Sequence, residues 1–277
     1  MRHIWKTVFG GAEEEDVFFT HYYDPELCAA AIHDGAPAAM GHLLHAGSFI
    51  SGEDVFPCAM IYAVATLPQL RGHGFGTAVV NKLISAGLGT GYGAVALCPA
   101  EDSLFEYYKS RTDLRECFFV REQILDNITP TPDDGHPALS ELSSDEYSRL
   151  RASLLSDVPH IAQCPRAISY QSLLCRLYGG GLFRIETPFG AACAVVEKQA
   201  DGAVWIKELL TPPGVSSLSL IPSIAAAFPA PEYLVRTPAC PSDTEPGVRR
   251  FAMLAASCGL MESFPATASP WLGMAFD

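Results

Sequence analysis

The stretch Gln69-Leu70-Arg71-Gly72-His73-Gly74-Phe75-Gly76-Thr77 decides how this chain is read. An apolar, strand-like run, residues 58–67, leads into it, and a run of helical character, residues 78–86, leads out. The first amides of a helix lack intrahelical partners and stand at the positive end of its dipole. Phosphate oxygens fit that ring of donors. Glycines at 72, 74 and 76 permit positive φ and let a pyrophosphate approach without meeting a Cβ, while Arg71 adds a cation at the rim.

Spacing separates the known phosphate loops. The third glycine comes one residue early for G-x-G-x-x-G, and no G-K-[ST] follows, so the dinucleotide and Walker patterns both fit badly. What remains is R-x-x-G-x-G, formed by Arg71, Gly74 and Gly76. With these residues the chain resembles the GCN5-related N-acetyltransferases (GNAT), whose signature Q/R-x-x-G-x-G/A ends a central strand. Residues 66–72 look like that family's approach to the loop and residues 94–97 like its next strand. Leu104-Phe105-Glu106-Tyr107-Tyr108-Lys109 resembles the helix that carries its tyrosine.

The resemblance spans roughly the first half of the chain and implies an α/β fold with a mixed sheet. In that fold acetyl-CoA lies in a V-shaped gap between two splayed parallel strands, here residues 58–67 and 94–98. The likeness implies that main-chain groups of Val64, Ala65 and Thr66 pair with the pantetheine arm. Amides of Arg71, Gly72, His73, Gly74, Phe75, Gly76 and Thr77 would hold the pyrophosphate, and Ser103 counts among the cofactor contacts.

Chemistry narrows the catalytic candidates. An alkyl amine with a pKa near 10.4 must lose a proton before it attacks a thioester. The attack generates an oxyanion, which a main-chain amide can stabilise, and expels a thiolate, which a hydroxyl can protonate. The resemblance places that hydroxyl on Tyr108, seven residues after Glu101. Tyr107 competes for the role, because neighbouring helical residues differ by about 100° and only one can face the sulfur. The Gly-Phe that commonly follows this tyrosine in the family is replaced by Arg111-Thr112-Asp113-Leu114. The central strand contains no carboxylate, so the base stays open among Glu53, Asp54, Glu101 and Glu208, each of which reads first as a solvated side chain.

Composition excludes several classes. With 18 basic and 31 acidic residues the formal charge is −13, which argues against a nucleic-acid partner and slightly favours a cationic acceptor. No apolar run reaches the roughly 18 residues that span a bilayer, and the start of the chain turns acidic at Glu13-Glu14-Glu15-Asp16, so a cytoplasmic protein is expected. Nine cysteines, none in C-x-x-C spacing, read as reduced thiols and not as a zinc site. His42 and His45, three apart in a strand-like stretch, face opposite sides and make no metal pair. No metal is expected.

Along the chain, residues 5–23 read as helical across Gly10-Gly11. Strands at 27–33 and 38–47 flank the hairpin signal Asp34-Gly35. The strand that usually opens the family is not evident, so either the second half supplies that edge or the sheet is shorter. The polar, proline-rich residues 126–139 mark a boundary. This divides the chain into a GNAT domain at 1–128, a linker at 129–139 and a second GNAT-like α/β domain at 140–277. Beyond the boundary, helices are expected at 144–155, 167–177 and 216–227, and strands at 182–186, 191–198, 204–210, 232–236 and 271–276. This order loosely repeats the first half, but Thr211-Pro212-Pro213-Gly214-Val215 stands where the glycine loop would be. The chain therefore resembles tandem proteins whose second copy has lost the cofactor signature, with a single active site in the first half.

The function expected is transfer of an acetyl group from acetyl-CoA to a primary amine by direct attack in a ternary complex. The alternative is a non-catalytic acyl-CoA-binding or ligand-sensing module. A structural partner protein that merely keeps the fold is the remaining class. The acceptor and the oligomeric state stay open.

Overall fold

The computed structural model describes residues 1–130, 139–257 and 269–276. Two helices, α1 (Arg2–Val8) and α2 (Ala12–His21), open the chain where one was expected. Gly10 and Gly11 both take positive φ, 71° and 43°, which ends the first helix and makes Gly11 the N-cap of the second. Next come β1 (Cys28–His33) and β2 (Ala36–Ser51), joined by Asp34 and Gly35 at φ 49° and 76°. Two left-handed residues at the tip match the twist of an antiparallel hairpin.

The chain continues through β3 (Asp54–Thr66), α3 (Phe75–Gly89), β4 (Ala94–Leu97), α4 (Ser103–Lys109) and β5 (Arg115–Asp126). The last was not foreseen as a strand. After the boundary come β6 (Leu139–Glu141), α5 (Ser144–Leu154), β7 (His160–Gln163), α6 (Pro165–Leu177) and β8 (Gly181–Thr187). Ser143 and Glu146 close a reciprocal capping box at the start of α5. Then follow β9 (Gly190–Lys198), β10 (Val204–Leu210), a short 3₁₀ turn leading into α7 (Ile221–Ala227), β11 (Glu232–Pro238) and β12 (Val248–Ala256). Most of the linker, residues 131–138, lies outside the described residues.

Among the described residues the strands form one continuous sheet in the order β1-β2-β3-β4-β12-β5-β11-β10-β9-β8-β6. The halves repeat a motif. β2 and β3 are antiparallel, and β3 runs parallel to β4 across α3. Likewise β9 and β10 are antiparallel, and β10 runs parallel to β11 across α7. Between the repeats the halves exchange strands: β12 pairs with β4, β5 pairs with β11, and β12 and β5 pair with each other. The missing edge of the first half comes from the second, since β7 pairs antiparallel with β2 over Gly47–Ile50 opposite His160–Gln163.

Strand alternation sorts the core into layers. One face, with Met40, Leu44, Cys58, Met60, Cys193 and Val195, is covered by α1, α2, α5 and α6 as a single apolar layer spanning both halves. The opposite face is covered separately, by α3 and α4 over Ala59, Ile61, Val95 and Leu97, and by α7 over Ala194, Val204, Ile206 and Val235.

Residues 271–276 were expected to be a strand. They form an extended, buried tail with an isolated bridge between Trp271 and His160. Gly273 at φ 74° and Phe276 at φ 62° break the ladder geometry. The tail is held by Glu208, which accepts from Trp271 Nε1 at 2.6 Å, from Tyr147 Oη at 2.6 Å and from Arg151 Nε at 2.8 Å. Arg151 also donates to the carbonyls of Ile161 and Leu272.

Candidate active site

β3 and β4 pair over four positions only, Cys58 with Ala94 through Ile61 with Leu97. β4 then ends, while β3 continues to Thr66, so the strands part and leave one side of β3 without a strand partner. Just past the parting, Met40 pairs with Ala65 and His42 with Tyr62, which sets two residues of β3, Ala63 and Val64, against the single Gly41. This bulge holds Ala63 at φ 50°, a costly conformation for a residue with a Cβ, and it re-aims the main chain at the mouth of the gap. Gly41 is needed there, since a Cβ would come within 2.9 Å of Val79 Cγ1.

Val64, Ala65 and Thr66 therefore line the parted edge of β3. The loop beyond them turns on Gly72 and Gly74, at φ 81° and 82°, with open space around both. Gly74 is the N-cap of α3, and no side chain caps that helix. Gly76 acts differently: a Cβ there would lie 3.2 Å from Thr66 Oγ1, so the residue lets the helix approach the strand end. Arg71 is exposed and turns back toward the Thr66 carbonyl, and His73 bonds to the Arg71 carbonyl at 3.0 Å. The His73 and Phe75 rings stack beside the loop.

α4 brings both tyrosines to this region. Tyr107 is half-buried and its hydroxyl lies 2.6 Å from Thr77 Oγ1 in the first turn of α3, with Arg111 over its ring. Tyr108 is buried against the α3 layer, and its hydroxyl makes no hydrogen bond among the described residues. Burial, reinforced by Tyr107, pushes its pKa up to about 12, so the hydroxyl holds its proton throughout the neutral range. Ser103 is exposed at the start of α4, 3.4 Å from Glu101 Oε2.

The second half fixes α4. Arg250 of β12 clasps both carboxylate oxygens of Asp102 at 2.9 Å, donates to Glu106 at 2.9 Å and Glu116 at 3.1 Å, and covers the Phe105 ring. Sequence reasoning did not find this residue, because nothing local marks an arginine whose partners lie 148 positions away.

The carboxylates divide. Glu53, Asp54 and Glu101 are exposed. Glu208, expected at the surface, is fully buried and bound to Arg151, Tyr147 and Trp271, so it is committed to structure and not available as a base. Lys207 beside it pairs with Glu197 at 3.0 Å.

On the opposite face of β3, Tyr62 joins an aromatic cluster with Trp5, Phe18, Tyr170 and Phe276. Its hydroxyl meets that of Tyr170 at 3.2 Å. His42 is buried edge-on to Phe18, its ring nitrogens lack hydrogen-bond partners among the described residues, and burial pushes its pKa down to about 4. His45, three residues on, is exposed beside Tyr92. The eight described cysteines are free thiols, and Cys258 lies outside the described residues.

Comparison with known proteins places this geometry. The acetyltransferase (GNAT) family profile matches residues 1–109. No curated protein matches the chain in sequence. Among solved structures, a GCN5-related N-acetyltransferase from Anabaena variabilis is similar at a TM-score of 0.66 and 14% identity, covering 91% of this chain and 68% of that one. A probable N-acyltransferase of unknown function from Enterococcus faecalis superposes at 0.65 with 12% identity and the same coverage. An acetyltransferase structure from Pyrococcus horikoshii covers 98% of this chain and 89% of its own, at 0.57 and 14% identity. The glycine turn, the parted strands and the profile match agree: residues 1–109 match the acetyltransferase (GNAT) family, and the chain as a whole has the GNAT fold.

Proposed function

We propose that the chain is an acyl-CoA-dependent N-acetyltransferase that passes an acetyl group from acetyl-CoA to a primary amine by direct attack in a ternary complex. One observation carries this reading: the parted edge of β3 leads through a short 3₁₀ turn at Pro68–Leu70 and the glycine loop into the uncapped first turn of α3, so strand-edge and helix-terminal amides stand at the two ends of one short segment. Gly72 and Gly74 leave it clear of Cβ atoms. The residues present fit the donor. Main-chain groups of Val64, Ala65 and Thr66 would hold the pantetheine arm, and amides of the turn from Arg71 to Thr77 the pyrophosphate, with Ser103 nearby.

Tyr108, on the helix that resembles the family's tyrosine-bearing one, is the residue proposed to protonate the departing thiolate, and its buried phenol is protonated at neutral pH. Tyr107 is engaged with Thr77 and fits a role in shaping the turn. The amine must lose its proton to water or to a carboxylate reached through water. The acidic balance of the chain favours a cationic acceptor. The division into residues 1–128 and 140–277, with one active site in the first half, belongs to the same proposal. The protein would act in the cytoplasm.

A non-catalytic acyl-CoA-binding module is the second reading, favoured by a central strand without a carboxylate and by the commitment of Glu208 to Arg151. Calorimetric titration of acetyl-CoA and CoA, repeated with Gly74→Ala, tests what both readings share. Micromolar binding weakened by the substitution supports them. Absence of binding by the unmodified protein sinks both; where binding is seen, an amine screen with Tyr108→Phe separates them.

A further inference from the structure

α4 carries the proposed acid on only seven residues, Ser103–Lys109. A helix that short does not hold itself in water, so its neighbours decide its position and its rotation. Rotation is decisive here. Tyr107 and Tyr108 stand about 100° apart, so a turn of that size about the axis would exchange one phenol for the other at the parted strands.

Contacts on several sides set the rotation. Behind Tyr108, where the expected Gly-Phe is absent, the Thr112 hydroxyl donates to the Tyr108 carbonyl at 2.8 Å and accepts from the Leu114 amide at 3.2 Å. The Thr112 amide donates to the same carbonyl at 2.9 Å. On the α3 side, the Tyr107 hydroxyl is tied to Thr77.

The remaining side belongs to Arg250. Its strand bulges directly after it, because Arg250 pairs with Phe119 and Ala252 with Phe118, leaving Phe251 extra. A bulge re-aims the side chains beside it. The guanidinium spans Asp102 and Glu106, four residues apart on one helix face, and Glu116 of β5 holds it at 3.1 Å. Tyr108, two residues on from Glu106, lies on the far side of the helix, about 200° round. Stability alone does not account for this arrangement. The side chains of Asp102 and Glu106 are largely exposed, and ion pairs in water add little to stability. The planar fork of an arginine gripping both oxygens of Asp102 does fix orientation.

We propose that Arg250 is a positioning residue for acyl transfer: from the second half of the chain it sets the rotation of α4, and so presents Tyr108 and not Tyr107 to the departing thiolate. This rests on the function proposed above and adds that the site is incomplete without β12.

The test is steady-state thiol release by the full chain, with acetyl-CoA varied and butylamine, lysine amide and spermidine as acceptors. Where none of these is taken, release to water serves, since it expels the same thiolate. Arg250→Met should lower kcat about tenfold to a hundredfold, the cost of a small misplacement, with KM for acetyl-CoA changed less than about twofold. Asp102→Asn should reproduce part of the loss and add little to Arg250→Met, because the two act as a unit. The deciding measurement is Arg250→Met in the Tyr108→Phe background. A residue that acts through Tyr108 costs nothing further there, whereas one that only holds the fold costs the same in both backgrounds. Equal losses with and without Tyr108 overturn the inference, as does an unchanged kcat in Arg250→Met, while the function proposed above stands. Should Arg250→Met not fold, Asp102→Asn goes through the same comparison. An unmodified chain that binds acetyl-CoA and releases no thiol overturns the proposed function, and this inference with it.

Discussion

The Tyr62 hydroxyl on the central strand lies 3.2 Å from the Tyr170 hydroxyl, 108 residues further along the chain. The two halves thus meet directly behind the strand that would hold the acyl group. Tyr170 is 1% exposed, and burial is the chief cause that raises its pKa well above that of an ordinary phenol. Tyr170→Phe should lower stability by about 1 kcal/mol, the net worth of one hydrogen bond, and leave CoA affinity unchanged. A shift in the urea midpoint with an unaltered CoA titration checks this.

Tyr108→Phe removes the proposed acid without changing volume appreciably. Turnover should fall ~10²–10⁴-fold with acetyl-CoA affinity retained. Because the tyrosine pKa is about 12, deprotonation of the acid should cause no downturn below about pH 11. The rate should rise with pH as the amine is deprotonated. A downturn near pH 9 that disappeared in Tyr108→Phe would show that burial raises this phenol less than expected, and unchanged turnover in Tyr108→Phe would exclude it as the donor.

Glu208 and Arg151 form a fully buried pair whose remaining valences go to Tyr147, Trp271 and two carbonyls. Glu208→Gln leaves the arginine charged and buried without its counter-ion. Loss of one partner from such a pair costs ~3–5 kcal/mol. Chemical denaturation should show a loss of that order. A change below about 1 kcal/mol would mean that water reaches the arginine.

His42 gives the acid limb of stability. Burial depresses its pKa from 6.5 to about 4, so between those values the unfolded chain binds a proton that the native chain does not. Its contribution is complete above about pH 6.5 and is lost as the pH falls toward 4, by at most ~3 kcal/mol. Urea midpoints of the wild type should drop between pH 7 and pH 4.5. In His42→Leu the part of that drop due to this residue should disappear.

The glycine turn was legible because its signal is local: φ at Gly72 and Gly74, and the close approach at Gly76, depend on residues within a dozen positions. Asp34-Gly35 was legible for the same reason. The break at Gly10-Gly11 was visible but underweighted against the aromatic pattern around it. β5 was missed, because Arg115, Arg121 and their neighbours interrupt the apolar run. Its ladder partners, β11 and β12, lie more than 100 residues away. Glu208 shows the limit most plainly. A glutamate among apolar neighbours reads as solvated, and only the approach of α5 and the 271–276 tail shows that it is enclosed. Arg250 and Tyr170 belong to the same class, defined by contacts between distant segments.

The strand exchange also bears on how the chain is made. β12 stands between β4 and β5, so the floor of the gap between β3 and β4 is finished only after residues 248–256 have left the ribosome. Until then the nascent first half exposes two open edges, at β4 and β5, of the kind that invite pairing with other chains. Pairings this distant in sequence are slow to form. Completion of that gap is thus a late event in biosynthesis, and cells short of chaperone capacity should lose this protein to aggregation before they lose proteins whose sheets close locally.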